Sequence, residues 1–167
     1  MYDELTAVDI QKMQEEIDHR IRVLRPQLIE EVKVTRAFGD LSENFEYKCA
    51  KQAKNRNESR IRYLERMIRT AKVIEVEADA DAVGLFDKVT IYNEMAKKEM
   101  QIQIVTTLRQ DVLKGLVSKE SPVGKALLGH RVGDRVQVEV SPELKYYAEI
   151  RSIEKGEDDA SMEISAY

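Results

Sequence analysis

Three carboxylates, Asp40, Glu43 and Glu46, and two aromatics, Phe45 and Tyr47, fall within eight residues, in the run Phe38-Gly39-Asp40-Leu41-Ser42-Glu43-Asn44-Phe45-Glu46-Tyr47. Carboxylate oxygens are hard ligands and suit Mg²⁺. Two of them with no further ligand hold the ion poorly. They gain a use where another macromolecule supplies the remaining ligands and the phosphate. Two-metal phosphodiester chemistry offers such a place, since it needs a second ion about 3.5–4 Å from the first. The same residues also spell a helix start. Asp40-x-x-Glu43 fits a capping box, with Asp40 as cap and Glu43 reaching back to the cap amide, and acidic residues near a helix start complement its dipole. Spacing leaves both readings open.

These residues lie at the bend between two predicted helices. In the first, Ile10, Met13, Ile17, Ile21, Leu24, Leu28 and Val32 recur in steps of three and four and form one stripe. Pro26 keeps the phase but removes a backbone hydrogen bond, so it either bends the helix or opens a new one as its first residue. The second helix is predicted from about Ser42 to Ala71. There Ala50, Ala53, Asn57, Ile61, Leu64, Ile68 and Ala71 follow coiled-coil spacing. Each stripe needs a partner, and the short connection around Phe38–Leu41 makes the other helix the nearest one. An antiparallel hairpin over 1–76 is therefore expected.

The stretch 77–84 loses the stripe and reads as a linker. Beyond it, over 85–167, the period falls to two. Phe86–Tyr92, Met100–Thr107, Arg135–Val140 and Tyr146–Ile153 are predicted strands. Ser121-Pro122 opens a short helix that Gly129 closes, and Gly133-Asp134 turns into a strand. The fold class expected is α+β: a helical coiled-coil hairpin, then a small, mostly antiparallel sheet with one helix. The segment after Gly156 is acidic and expected to be loose. Tyr146, Tyr147 and Phe86 are expected to pack the sheet.

Net charge is −4, unevenly spread. Residues 33–72 carry 11 basic against 5 acidic side chains. A basic stretch in an acidic chain meets a nucleic-acid backbone or an acidic protein surface, or is simply a solvated helix face. No apolar run approaches the roughly 20 residues that span a membrane, and the opening residues lack a secretion-signal pattern. With Cys49 the single cysteine, no internal disulfide forms, and a cytoplasmic monomer that binds no membrane is expected. His19 and His130 lack metal-ligand spacing. No phosphate-binding glycine loop or nucleophile triad is present.

The run Gly39-Asp40-Leu41-Ser42-Glu43-Asn44 with Glu46-Tyr47 resembles the tip motif of the Gre transcript-cleavage factors. Arg25-Pro26, Ala50-Lys51-Gln52, Glu58-x-Arg60-Ile61-x-x-Leu64-Glu65, Ala71-x-Val73-Ile74 and Ser121-Pro122-Val123-Gly124-Lys125-Ala126-Leu127-Leu128-Gly129 extend the resemblance from about Leu5 to Ile153. The resemblance implies an elongation factor that binds backtracked bacterial RNA polymerase through its secondary channel. It implies that Asp40 and Glu43 help hold a second Mg²⁺, held mainly by the polymerase, and orient the attacking water, so that the polymerase cuts the nascent RNA 3′ end itself and the factor is no enzyme. It further implies a second domain with a fold like that of FK506-binding proteins, docking through Ser121, Pro122, Val123 and Gly124. Arg36 and Lys51 are the basic residues expected nearest the RNA. A relative of the family that fills the channel without promoting cleavage is the alternative, and a prolyl isomerase or chaperone, suggested only by that second-domain fold, is a third reading. Three features depart from the family: Val8-Asp9 where a glycine is usual, Phe45 where a small residue is commoner, and the acidic tail.

Overall fold

A computed structural model describes residues 3–40, 44–77 and 79–165. The chain divides into two units. One holds Ile10–Ala71; the other joins Asp3–Asp9 to the chain from Lys72 onward.

The helical unit is built from α1 (Ala7–His19, whose first residues belong to the other unit), a π-helical turn (Arg20–Leu24), α2 (Arg25–Arg36) and α3 (Phe45–Thr70). The expected stripes are the covered faces. Met13, Ala50, Ile61 and Leu64 are buried and the other stripe residues are buried or half-buried, whereas off-stripe Val23, Ile29 and Val34 are exposed. Cross-helix bonds join Glu16 to Arg60, Arg20 to Asn57, Arg25 to Glu58 and Thr35 to Asn44. From Glu16–Arg60 to Thr35–Asn44 the first number rises while the partner falls, so the two arms run antiparallel. The 26 residues of α3 make it about 39 Å long at about 1.5 Å per residue.

Pro26 disrupts the helix locally without breaking it, since Leu24 and Arg25 before it keep helical dihedrals. It sits in the first turn of α2, and the turn before it widens, the Arg25 N–H donating to Arg20 O, five residues back. A π turn is one of the ordinary ways a helix absorbs a local disruption of its hydrogen-bond ladder.

The second unit is a five-stranded sheet in the order β5-β4-β3-β7-β6, from β3 (Lys88–Asn93), β4 (Lys98–Val105), β5 (Leu116–Ser118), β6 (Arg135–Glu139) and β7 (Lys145–Glu154), with one helix, α4 (Pro122–Leu127). It is antiparallel except for β4 with β5. Strand β5 escaped the sequence reading because it is three residues long, too short for alternation to register. Val83, Val89, Ile91, Ile102, Ile104, Leu127, Val136, Val138, Ala148 and Ile150 form its core, and Tyr146 packs against them. Phe86 is buried, while Tyr147 is partly exposed beneath Arg135.

Two further strands, β1 (Glu4–Leu5) and β2 (Lys72–Val73), pair in parallel, and Lys119 reaches Glu4. These bonds draw residues 3–9 and 72–76 into the sheet unit, so the division falls inside the 1–76 segment expected to be wholly hairpin. A buried ion cluster does the same. Arg109, fully buried, donates through Nε to Asp9 at 2.6 Å and pairs with Asp158 at 2.6 Å, its guanidinium 4.9 Å from the Phe86 ring centre. The tail is therefore not loose. Gly156 N–H donates to Asp87 at 3.0 Å, Asp158 meets Arg109, and Ser165 N–H donates to Leu108 O at 2.7 Å. A guanidinium without solvent needs counter-charge nearby, and the tail supplies half of it. No helix among the described residues is long and apolar enough to cross a membrane.

Candidate functional site at the hairpin tip

The arms are joined by residues 37–44. Helix α2 ends at Arg36, and Ala37 N–H still bonds back to Lys33 O and Val34 O. Gly39 then takes φ +123°, a conformation L side chains rarely adopt, which lets the chain leave the helix direction. Asp40 follows with its side chain exposed. Glu43 lies outside the described residues, as do Leu41 and Ser42.

The expectation that Asp40 caps α3 is corrected here, and Glu43, the other half of the expected box, lies outside the described residues. Helix α3 starts at Phe45, and its cap is Asn44, whose Oδ1 accepts from Tyr47 N–H at 2.9 Å. The amide's other end donates to Thr35 O at 2.8 Å. Asn44 thus closes the base of the loop: one atom starts α3 and the other holds the end of α2. Unlike a carboxylate, which only accepts, the amide carries both an acceptor and donors, so Asn44 can bind both arms where Asp could not. The reciprocal box forms instead at Thr6 and Asp9: Thr6 N–H donates to Asp9 Oδ2 at 3.1 Å and Asp9 N–H to Thr6 Oγ1 at 3.3 Å. Asn44 is the residue sequence reasoning missed. Its signal was present, an Asn directly before a helical stretch with acidic Glu46 in the first turn.

Around the loop, Phe38 and Phe45 are 61% and 75% exposed. Arg36 ends α2 and Lys51 lies in the second turn of α3, about 9 Å along the helix from Phe45; both are exposed. Cys49 is an exposed free thiol. Among the described residues no three His, Cys, Asp or Glu converge as a metal site.

Below the tip the seam is polar. The Glu16 carboxylate accepts from Arg20 Nε at 2.7 Å and from Arg60 at 2.9 and 3.1 Å. Burial pushes the Glu16 carboxyl up, but hydrogen bonds from Arg60 and Arg20, with their charges, outweigh it and hold it below the ordinary value. Asn57, also buried, accepts from Arg20 at 3.0 Å. Arg25 grips Glu58 with two bonds of 2.7 and 2.9 Å, and that bond lowers the Glu58 carboxyl.

The second expected site, residues 121–124, is part of the sheet unit. Ser121 Oγ caps α4 by accepting from Gly124 N–H at 3.0 Å. Gly124 is buried, and a Cβ there would collide with Ser118 O. Pro122 is exposed and Val123 half-buried against the core. Two of the four therefore have structural duties within the unit.

The fold and its tip define a two-unit α+β protein whose candidate chemistry sits at the bend of a helical hairpin. The transcription elongation factor N-terminal family matches residues 4–73, and the GreA/GreB C-terminal family matches residues 69–155. The chain is 43% identical over 137 residues to transcription elongation factor GreA of Thermoanaerobacter pseudethanolicus, covering 81% of this chain and 87% of that protein. It is 41% identical over 135 residues to GreA of Mesoplasma florum, covering 80% and 86%. The crystal structure of GreA factor homolog 1 of Thermus thermophilus aligns over 93% of this chain and all of that one, with 26% identity and a TM-score of 0.42. The chain belongs to the GreA/GreB family of transcription elongation factors.

Proposed function

We propose that this factor binds backtracked bacterial RNA polymerase through the secondary channel and stimulates the polymerase's own cleavage of the nascent RNA 3′ end, acting in the cytoplasm as a monomer. The observation that carries the reading is the division of labour at the bend. Asn44, and not Asp40, caps α3, and Asp40 stands exposed at the bend. The donor set suits the ion: Asp40 and Glu43 offer hard oxygens, and a tip with so few ligands needs the polymerase to hold Mg²⁺ mainly by its own groups. When bound, the ion stabilises negative charge at the attacked phosphodiester. Asp40 and Glu43 bind it from the side of the factor and orient the attacking water by accepting its hydrogen bonds. Arg36 and Lys51 bring positive charge toward the RNA backbone. Pro122 and Val123 present the docking surface, while Ser121 and Gly124 hold its shape. No proton or bond in the factor itself changes, which is why the factor is no enzyme.

The test is RNA cleavage by stalled polymerase with the parent protein and Asp40→Asn. Asn is a neutral and weaker Mg²⁺ ligand. The expected result is unchanged melting and loss of stimulated cleavage. Equal cleavage by the two proteins refutes the metal role of Asp40. A parent that occupies the polymerase and stimulates nothing marks an inhibitor instead.

A further inference from the structure

Phe45 has no structural account in the hairpin. Its ring is 75% exposed at the first position of α3, while the stripe that seals the arms starts a turn later at buried Ala50. Ala would serve the helix as well, and exposing an aromatic ring forfeits the gain of burying it. The backbone beneath the ring is fixed by the two Asn44 bonds to Tyr47 and Thr35, so the ring is displayed by a rigid support. Three residues on, and therefore on the same helix face, stands exposed Lys48. Phe38, 61% exposed, stands at the other side of the loop.

We propose that Phe45 is a stacking platform for an unpaired nucleobase, the terminal or penultimate base of the displaced RNA, with Lys48 taking the adjoining phosphate. This rests on the reading above, in which the RNA end lies at the tip. Single-stranded nucleic acid is bound by exposed aromatic faces interleaved with cations, and Phe45 with Lys48 is such a pair. An apolar protein partner would favour neither the neighbouring lysine nor the carboxylates of the same loop. Stacking fixes the base plane, and so the position of the phosphodiester relative to Asp40. Phe45 thus positions the substrate without touching the reacting atoms.

The experiment uses full-length protein carrying Asp40→Asn, so that RNA stays intact, on backtracked polymerase whose RNA ends in 2-aminopurine, a base whose fluorescence falls on stacking. Asp40→Asn alone is expected to quench it. Adding Phe45→Ala or Phe45→Leu is expected to abolish the quench, and Phe45→Trp to keep it. Leu retains apolar bulk without a π face, which separates stacking from burial. In the cleavage-competent background, Phe45→Ala is expected to raise the factor concentration for half-maximal cleavage about ten-fold. Undiminished quenching with Phe45→Ala, while the parent still stimulates cleavage, overturns the stacking role alone. Absence of cleavage with the parent overturns the reading on which it rests, and the stacking role with it.

Discussion

Replacing Asn44 separates the scaffold of the tip from its chemistry. Asn44→Ala removes the acceptor for Tyr47 N–H and the donor to Thr35 O. Loss of a cap costs about 1 kcal/mol, and loss of a neutral hydrogen bond about 1 kcal/mol. The bonds are independent in geometry, so the total is about 2 kcal/mol, or a fall in melting temperature of roughly 4–8 °C for a chain of this size. Asn44→Asp keeps an acceptor, and Asp caps as well as Asn. It also gains about 0.3–1 kcal/mol from negative charge at the helix start. It loses the donor and sets a carboxylate against the Thr35 carbonyl, so its net cost is about 1 kcal/mol or less. Thermal unfolding followed by helical circular dichroism should therefore rank parent above Asn44→Asp above Asn44→Ala, with Asp40→Asn beside the parent. An Asn44→Ala protein as stable as the parent, or an Asp40→Asn protein that melts as low as Asn44→Ala should, would return the cap to Asp40 and refute the reasoning.

Two further outcomes follow from the ion pairs. Glu16 is held below its ordinary value in the fold, so its contribution is present above the unfolded carboxyl value, roughly 4.3, and is lost as pH falls through the lower folded value. The stability gap between parent and Glu16→Gln, measured by urea unfolding, should be widest near neutrality and close below about pH 4; a gap independent of pH would sink this. At Arg109, substitution by Met leaves the Asp9 and Asp158 carboxylates without their buried partner and should cost about 3–5 kcal/mol. Adding Asp9→Asn and Asp158→Asn should recover part of it, and Asp158→Asn alone should expose the tail to limited proteolysis near residues 156–165. A tail equally resistant in that variant would show that Ser165 and Gly156 suffice.

The hairpin was legible because its signal is repetitive: seven positions per helix agree on one stripe, and the single polar one, Asn57, does not move it. The four longer strands were legible for the same reason. What escaped is what depends on single side chains. The pattern acid-or-hydroxyl, two residues, acid occurs at Thr6-x-x-Asp9, where it forms a box, and at Asp40-x-x-Glu43, whose first residue does not cap α3. The cap of α3 falls to Asn44, four residues after Asp40, which offers a donor as well as an acceptor and binds both arms at once. Likewise no local pattern tells that Arg109, Asp9 and Asp158 meet, since they lie about 50 and 100 residues apart. The acidic tail looked loose on composition because its partner cation is hidden elsewhere in the chain. At the candidate site, the position of Asp40, Arg36 and Lys51 about the bend was legible from the sequence; the Asn44 bonds that close the bend were not.

The polar seam explains why a tip at the end of a long arm stays in register. A hairpin sealed only by apolar residues at three-and-four spacing can slip by a heptad, exchanging like for like, and seven residues at about 1.5 Å would carry the bend about 10 Å from its place. Here such a slip would part Asn57 from Arg20, Arg60 from Glu16 and Arg25 from Glu58. Asn57 and Arg60 are buried, and a buried polar group deprived of its partner costs more than the bond contributed. A polar residue in a coiled-coil seam commonly fixes register in this way at some expense of stability. The three pairs draw Glu16, Arg20 and Arg25 of the first arm onto a single turn of α3, Asn57–Arg60, and Asn44 closes the end of the arm at the bend. Register is thus set by charge and amide along the arm, while the apolar stripe supplies adhesion. In the proposed role of Asp40, a carboxylate set to meet an ion to within a fraction of an ångström needs the first more than the second.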